Sequence, residues 1–404
     1  MKAFGLKLFA ILTVMVSSSW SLRGACLLNQ YDILEPDTLW AKTLKIQLDE
    51  LLESEWFEKT QVGLCVYDLS SDTMLYARNI HQRMRPASTQ KLLTAITALD
   101  KLGGAYQFQT RLCYTGCVEN RILYGDLYAI GGFDPRFAKD DMQAFVNAVT
   151  ALAVDSVAGC LYADVSMKDT LKWGYGWCWD DDMPVLTPLL YKGQDRFVDK
   201  LIEMLSEAGV GVRTTAYGQC PSEAETLSVR KHAIDQVLMP MMKESDNLYA
   251  ESLFYQLGAL SGKPYASYKD ARRFVLDLMD KLHVTAENAL VADGSGVSLY
   301  NYLTPAVQIA FLRYAYHNEE IFLHLYASLP VAGVDGTLRN RMKRGAAYRN
   351  VHAKTGTLEG VISLAGYAMA DNGHRLAFCI LNQGVDSSKK ARDFQDKVCT
   401  LLCR

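Results

Sequence analysis

Apolar positions near the start of the chain follow helical spacing and then the pattern of strands. Residues 38–54 carry leucines at helical intervals, which predicts an amphipathic helix. Residues 61–69 and 74–79 are rich in Val, Leu and Tyr and flank the turn Ser70-Ser71-Asp72, so they predict a β-hairpin. A second helix is expected from Pro86 to Gly103-Gly104, because proline suits the first turn of a helix and glycine its end.

The remaining apolar pattern combines further helices with two strand-like runs near the end of the chain. The helical segments are residues 194–207, 237–257, 270–282, 304–317 and 390–402, and the strand-like runs are residues 361–370 and 375–382. Strands near both ends of the chain, with helices between them, predict an antiparallel sheet that is flanked by helices and completed by both termini. The predicted fold class is therefore α+β.

The middle of the chain differs from its flanks in pattern. Over residues 107–132 short strand-like runs alternate with turns, and a region rich in Gly, Trp and Asp extends to Pro188. We interpret residues 106–225 as an inserted, smaller, strand-rich domain. Residues 26–105 and 226–404 then form one main domain that the insert interrupts.

The first residues have the order of charged, apolar and small positions that a secretory signal has. Lys2 and Lys7 precede an apolar run at residues 8–16, and serines follow it. Because a bilayer span needs roughly 20 apolar residues, the run predicts a removable signal peptide over residues 1–25, with a buried N-terminal helix as the alternative. The chain is therefore expected to be exported to the periplasm or cell envelope. A membrane tether through lipidation of Cys26 stays open, although Arg23 stands where a lipidation signal has an apolar residue.

Composition and charge exclude several classes of protein. The 404 residues are 50% hydrophobic and 22% charged, which is typical of a globular chain long enough for two domains. A formal net charge of -3 gives no basic field that would gather phosphates, so no nucleic-acid partner is expected. The sequence has no HExxH motif and no His beside its cysteine pairs at ligand spacing, so we expect no metal.

The cysteines leave two interpretations open. Cys113 and Cys117 flank a Tyr-Thr-Gly turn, which would permit a disulfide in an exported chain. Cys399 and Cys403 stand one helical turn apart and fit two buried free thiols. The pairing of the cysteines is therefore not fixed by the sequence.

A hydroxyl and an amine stand three residues apart at the start of the second predicted helix. Ser88-Thr89-Gln90-Lys91 places the serine and the lysine on one helical face, within hydrogen-bonding reach. A partly buried lysine can lose its charge and take the hydroxyl proton, which makes the serine a nucleophile. The same spacing also occurs at residues 228–231 and 387–390, so this motif alone is a weak signal.

Two further motifs follow in a fixed order. Ser245-Asp246-Asn247 lies within the helical segment 237–257, and Lys354-Thr355-Gly356 leads into a strand-like run. This set of three motifs is the one that penicillin-binding proteins and class A β-lactamases carry. Each motif has a simpler explanation by itself, namely a helix cap, a solvated helix residue and a turn. Their joint occurrence favours a catalytic site.

On these residues the chain resembles the class C low-molecular-mass penicillin-binding proteins, the D-alanyl-D-alanine carboxypeptidase and endopeptidase family (peptidase S13). The resemblance extends over most of the mature chain and includes Gly125-Asp126-Leu127 with Asp134-Pro135, Trp177-Cys178-Trp179-Asp180-Asp181, Asp293-Gly294-Ser295-Gly296, and the segment 330–338. It implies a serine β-lactamase/transpeptidase-like main domain that hydrolyses peptidoglycan stem peptides through an acyl-enzyme. It also implies β-lactam antibiotics as covalent inhibitors, and no cofactor.

The resemblance assigns the catalytic roles to three residues. Ser88 attacks the carbonyl between two D-alanines, Lys91 is the base that activates it, and Ser245 relays a proton to the leaving amine. The nucleophile also lies at a helix N-terminus, where backbone N–H groups and positive potential stabilise a developing anion.

The substrate-binding roles follow in the same way. Asn247 holds the peptide on the donor side, and Lys354 and Thr355 bind the terminal carboxylate, for which a cation and a hydroxyl are apt partners. Gly356 lets the substrate approach the backbone closely. The backbone N–H groups of the nucleophile and of Thr357 form the oxyanion hole.

Several alternatives stay open from the sequence. A β-lactamase and a catalytically inactive cell-wall-binding module carry the same motifs, and a homodimer is compatible with the chain. Trp173, Trp177 and Trp179, with the acidic run at residues 180–182, either contact the stem peptide at the cleft mouth or pack within the insert. His352 is expected at the surface without a role, and the loop at residues 293–296 is expected to abut the site.

Overall fold

A computed structural model describes residues 39–179, 183–285, 287 and 289–404. The predicted signal peptide, Cys26 and the acidic run at residues 180–182 lie outside the described residues. Within the described ranges, no helix combines the length and the apolar character needed to cross a bilayer.

Helices and strands alternate along the chain and confirm the α+β class. The helices are α1 Leu39–Leu52, α2 Gln90–Leu102, α3 Lys139–Thr150, α4 Phe197–Glu207, α5 Ile234–Lys243, α6 Asn247–Ala259, α7 Tyr268–Lys281, α8 Pro305–Tyr316, α9 Glu319–Ser328 and α10 Ser388–Leu402. The strands are β1 Gln61–Asp68, β2 Thr73–Arg78, β3 Gln107–Tyr114, β4 Cys117–Glu119, β5 Ile122–Tyr124, β6 Leu127–Ile130, β7 Ser156–Asp164, β8 Gly211–Tyr217, β9 Glu225–Ala233, β10 His352–Leu358, β11 Val361–Met369 and β12 Arg375–Gln383.

The first sheet joins the two ends of the described chain. Its order is β10-β11-β12-β1-β2, and every neighbouring pair is antiparallel. Cys65 of β1 lies directly opposite Cys379 of β12, which fixes the register between the early and the late strands. The predicted antiparallel sheet completed by both ends of the chain is therefore confirmed.

Helices cover both faces of this sheet. On one face α1 and α10 pack into a core that includes Leu48, Leu364, Phe378 and Val398. On the other face α8 contacts β1 and β12, and α2 packs against α8. Because both faces are covered, β11 and β12 are buried along almost their whole length and read as continuous apolar runs instead of alternating ones.

The second sheet is mixed and contains the strands from β3 to β9. Its order is β4-β5-β7-β6-β3-β9, with β8 paired in parallel to β7. Helices α3 and α4 pack on it through a core that contains Phe145, Phe197 and Leu201. The strand-rich character predicted for the middle of the chain matches this sheet, and its division into domains at residues 105/106 and 225/226 stays a prediction.

The predicted single helix over residues 237–257 is wrong. Helix α5 ends at Lys243 and α6 begins at Asn247. Between them Ser245 has φ +63, a left-handed conformation that a helix does not contain. The Asp246 side chain accepts a hydrogen bond from the Tyr249 N–H and so caps a new helix. Periodicity did not reveal the break, because apolar spacing continues across it.

Helices α3 and α9 and strands β7 to β10 were not individually predicted from the sequence. Helices α3 and α9 have acidic residues in their first turns, which is a common feature of helix starts. Strand β10 is a separate strand before β11, where the sequence analysis expected only a motif leading into β11. This edge strand carries Lys354, Thr355, Gly356 and Thr357.

Candidate active site

Ser88 lies in a single 3-10 turn, Ala87–Thr89, directly before α2. Ala87 has φ +48, so the turn is strained and must be held by its surroundings. The Ser363 hydroxyl donates to the Pro86 carbonyl at 2.6 Å, and the Gln308 side-chain amide donates to the Thr89 carbonyl at 2.8 Å. These two buried contacts fix the serine at the floor of a groove, where its side chain stays partly exposed.

Lys91 is fully buried one turn further along, and its amine reaches three oxygens. Its Nζ lies 3.1 Å from Ser88 Oγ, 2.7 Å from Asn247 Oδ1 and 2.8 Å from the Ser295 carbonyl. A neutral amine has two N–H donors and one lone pair. Asn247 and the Ser295 carbonyl accept the two donors, so the lone pair is left for the Ser88 hydroxyl.

The surroundings of Lys91 lower the pKa of its amine towards neutral pH. Burial lowers the pKa of Lys91 to about 8, against the opposing effect of the nearby carboxyl groups of Asp293, Glu251 and Asp246. Burial, followed by the neighbouring Asp293, raises the pKa of Glu251 to about 8. A substantial fraction of Lys91 is therefore uncharged at mildly alkaline pH and able to act as a base.

The loop that contains Asp293-Gly294-Ser295-Gly296 turns the Ser295 carbonyl towards Lys91. Asp293 accepts hydrogen bonds from the Gly296 N–H at 2.7 Å and from Trp177 Nε1 at 2.9 Å. Glu251 Oε1 accepts the N–H groups of Gly294 and Ser295 at 3.0 and 2.8 Å. The prediction that this loop abuts the site is confirmed.

A second cluster faces the first across the groove. Lys354 is fully buried, and its Nζ donates to Ser245 Oγ at 2.8 Å and to the Thr355 carbonyl at 2.9 Å. Burial, together with the positive charge of Lys91, holds the pKa of Lys354 well below its usual value. The two amines are thus close enough to interact, and a substrate carboxylate would relieve their repulsion.

Strand β10 runs directly along the Ser88 turn. A Cβ atom added to Gly356 would lie 2.9 Å from the Ser88 nitrogen and 2.2 Å from Ser363 Oγ. Thr355 Oγ1 lies 2.7 Å from the Thr337 hydroxyl, and Thr357 is exposed at the groove. The structure therefore brings the predicted residues of all three motifs to one groove.

The close approach at Gly356 yields a test. We expect Gly356→Ala to slow acylation of the protein by a fluorescent penicillin by at least about tenfold, because the new methyl group displaces either Ser363 or the Ser88 turn. Gly211→Ala is the control, since its Cβ would have no neighbour closer than 3.8 Å. Equal acylation rates in the two variants would contradict this account of the groove.

Two residues of the network were not given a role from the sequence. Glu251 lies one helical turn after Asn247, so the i,i+4 rule could have placed it on the same face. The Ser295 carbonyl lies within a noted motif, but no sequence rule specifies which backbone oxygen faces the lysine. Both act by positioning the loop and the amine, and neither touches the nucleophile.

The tryptophans of the predicted insert differ in their burial. The Trp177 ring is buried and packs with Phe133 and Val297, which favours packing for this residue, whereas Trp179 is 91% exposed.

The expectation of a surface His352 is wrong, because its ring stacks on Tyr326 at 4.1 Å and burial lowers its pKa to about 4.

The structure also shows the state of the cysteines and the location of the two additional Ser-x-x-Lys matches. Cys399 and Cys403 are buried free thiols, as one interpretation held, and Cys113 and Cys117 are both free in this structure. Residues 228–231 lie in β9, and Ser387 caps α10. Neither of these two matches belongs to the groove.

A serine that contacts a buried lysine, next to the edge of an antiparallel sheet flanked by helices, defines an acyl-transferring serine hydrolase of the penicillin-recognising class. The sequence matches the D-Ala-D-Ala carboxypeptidase 3 (S13) family over residues 44–189 and 190–404, and the chain belongs to this family. Family membership confirms the predicted enzyme class, a serine-type D-Ala-D-Ala carboxypeptidase.

Relatives match the chain over most of its length. The D-alanyl-D-alanine carboxypeptidase DacB of Haemophilus influenzae is 25% identical over 80% of this chain and 85% of that protein. A D-alanyl-D-alanine carboxypeptidase of an Actinomadura species is 27% identical over 84% of this chain and 81% of that protein. The crystal structure of penicillin binding protein 4 (dacB) from Haemophilus influenzae superposes with a TM-score of 0.78 at 22% identity, covering 88% of this chain and 97% of that one. This likeness confirms the predicted transpeptidase-like fold.

Proposed function

We propose that the protein hydrolyses peptidoglycan stem peptides through an acyl-enzyme on Ser88, as a carboxypeptidase and as an endopeptidase. The observation that carries this proposal is the contact of 3.1 Å between Lys91 Nζ and Ser88 Oγ. The neutral amine of Lys91 donates its two N–H groups to Asn247 and to the Ser295 carbonyl. Its lone pair is therefore directed at the proton of the Ser88 hydroxyl. Family membership supplies the substrate class.

In the first step Lys91 takes the proton while Ser88 Oγ adds to the carbonyl carbon between two D-alanines. The Ser88 N–H lies beside β10, so it and the Thr357 N–H are our candidates for stabilising the oxyanion. The C–N bond then breaks, and the leaving amine receives a proton from Ser245. Lys354, whose Nζ lies 2.8 Å from Ser245 Oγ, returns a proton to Ser245. Lys91 then releases to solvent the proton that it took up, and Lys354 regains one from solvent, so both lysines return to their starting states. Water then hydrolyses the ester and regenerates Ser88.

We assign the substrate contacts to polar groups of Asn247 and of strand β10. Asn247 Oδ1 accepts from Lys91, whereas its amide Nδ2 contacts only the weak acceptor Met183 Sδ, at 3.6 Å, within the described part of the chain. The amide N–H group is therefore available to a substrate carbonyl. Lys354 and the hydroxyls of Thr355 and Thr357 would bind the terminal carboxylate.

The same groups account for binding of β-lactams, which carry a strained amide and a carboxylate. We propose that they acylate Ser88 and stay attached. We also propose that the enzyme acts in the periplasm or cell envelope, after export by the signal peptide at residues 1–25. The peptidoglycan substrate is found only outside the cytoplasmic membrane.

The proposal is tested with the mature protein and a fluorescent penicillin. We expect one labelled band on a denaturing gel that persists for hours, together with loss of D-alanine from pentapeptide muropeptides. Label that disappears within minutes would indicate a β-lactamase instead. The absence of both label and muropeptide cleavage would indicate a wall-binding module and contradict the proposal.

A further inference from the structure

A pocket of about 540 Å³ opens on the outer side of the carboxylate-binding residues. Thr355, Gly356 and Thr357 line one wall, and the first turns of α10 line the opposite wall. A separate cleft of about 750 Å³ lies beside Ser245 and Asn247. One space thus adjoins the Ser245-Asp246-Asn247 segment, and the other adjoins strand β10.

The two spaces differ in their position relative to the bond that is cut. The larger cleft adjoins Asn247, the residue proposed to hold the acyl-donor peptide. The 540 Å³ pocket adjoins Thr355 and Thr357, the hydroxyls proposed to bind the carboxylate of the leaving residue. A leaving D-alanine has only a methyl side chain and would leave most of this pocket empty. The leaving residue of a peptide cross-link, in contrast, continues into a whole stem peptide.

The charges of the pocket indicate what it would bind. Arg341 pairs with Asp396 at 2.6 Å, and Lys389 pairs with Asp393 at 3.2 Å. Arg392, which is exposed at the same wall, has no ion pair with any other residue that the structure describes. A planar guanidinium offers two parallel N–H donors, which suit a carboxylate.

We infer that this pocket binds the leaving peptide of a cross-link, with Arg392 contacting a carboxylate on that peptide beyond the one held at Thr355. The inference rests on the proposed function and adds a binding site to it. The chemistry is unchanged: the C–N bond breaks, the acyl group passes to Ser88, and the leaving amine takes a proton. Arg392 acts on binding of the leaving peptide and not on the bond itself.

The test compares a cross-linked muropeptide dimer with a pentapeptide monomer as substrates of the mature enzyme. For Arg392→Ala we expect kcat/KM for a cross-linked muropeptide dimer to fall about tenfold, the effect of losing one charge-assisted contact. The value for the pentapeptide monomer should change by less than about twofold, because its leaving D-alanine does not reach Arg392. Arg392→Lys should have a dimer activity between those of the wild type and Arg392→Ala, since it keeps the charge but loses the paired N–H donors.

A control on the same helix separates charge from position. Lys397→Ala removes one positive charge from α10 but lies in a different groove, next to Leu51 and Met342, so both substrates should react as in the wild type. A dimer whose leaving peptide has amidated carboxylates should be cut at similar rates by the wild type and by Arg392→Ala. This arm identifies the carboxylate as the group that Arg392 binds.

The outcomes distinguish this inference from the proposed function. An equal loss on both substrates, unchanged dimer hydrolysis in Arg392→Ala, or a wild type that cuts monomers only would overturn the inference. In the first two cases penicillin labelling and cleavage of both substrates by the wild type would still support the proposed function, and in the third its carboxypeptidase part alone would stand. A wild type that shows neither labelling nor cleavage would overturn both.

Discussion

Replacing Ser88 with alanine should abolish labelling by a fluorescent penicillin and reduce peptide hydrolysis by roughly 10⁴-fold or more. In the proposed mechanism this hydroxyl supplies the atom that forms the acyl bond, and no other hydroxyl contacts Lys91 among the described residues. The fold should remain, because the strained turn is held through the Pro86 and Thr89 carbonyls and not through the serine side chain. The measurements are gel labelling, muropeptide digestion and thermal unfolding.

Ser387→Ala provides the matched control for this variant. Ser387 also begins a Ser-x-x-Lys sequence, but its hydroxyl caps α10 by accepting from the Lys390 N–H. We expect normal labelling and a loss of about 1 kcal/mol of stability, the usual effect of removing a helix cap. Labelling that survives in Ser88→Ala, or is lost in Ser387→Ala, would show that the nucleophile is misassigned.

Replacing Lys91 with methionine should slow acylation by about 10² to 10⁴-fold while the protein still folds. Methionine has a similar length and fills the buried space, but its thioether is not basic enough to take the proton of the Ser88 hydroxyl. Lys168→Met is the control, because Lys168 is also fully buried but its amine contacts Asp169 and the Leu171 carbonyl instead of the site. That variant should acylate normally per folded molecule, even if it is less stable.

The pH dependence provides a second measurement on Lys91. Because burial lowers its pKa to about 8, the neutral amine predominates above that pH and the charged amine below it. The rate constant for acylation should therefore rise as the pH increases through about 8, and this step should be absent in Lys91→Met. Acylation of Lys91→Met at the wild-type rate, or with the same pH profile, would refute the assigned base.

The sequence was sufficient for the parts of the fold that local chemistry specifies. Proline and glycine marked α2, Thr304 marked the start of α8, and alternating turn and apolar residues marked the hairpin of β1 and β2. The order of the three motifs was enough to predict a set of residues that the structure brings close together. These features depend on neighbours in the chain, so they can be recognised without knowing the tertiary structure.

The remaining features depend on contacts between distant residues. The break before α6 depends on Ser245 adopting a left-handed conformation, which its contact with Lys354 accompanies. The separate strand β10 is defined by pairing with β11 and by the closeness of Gly356 to Ser88. The choice of the Ser295 carbonyl as a partner of Lys91 depends on Glu251 and Asp293, which hold its loop. No periodicity or composition carries this information.

The position of β12 has a consequence for when activity can appear. This strand joins the hairpin of β1 and β2 to the hairpin of β10 and β11. A growing polypeptide that has not yet reached Arg375 already contains Ser88, Lys91 and the Lys354 strand, but it lacks the strand that pairs with both β1 and β11. We therefore expect rapid acylation only after β12 has paired with β1 and β11. Covalent capture of a penicillin should consequently report that the last central strand has docked.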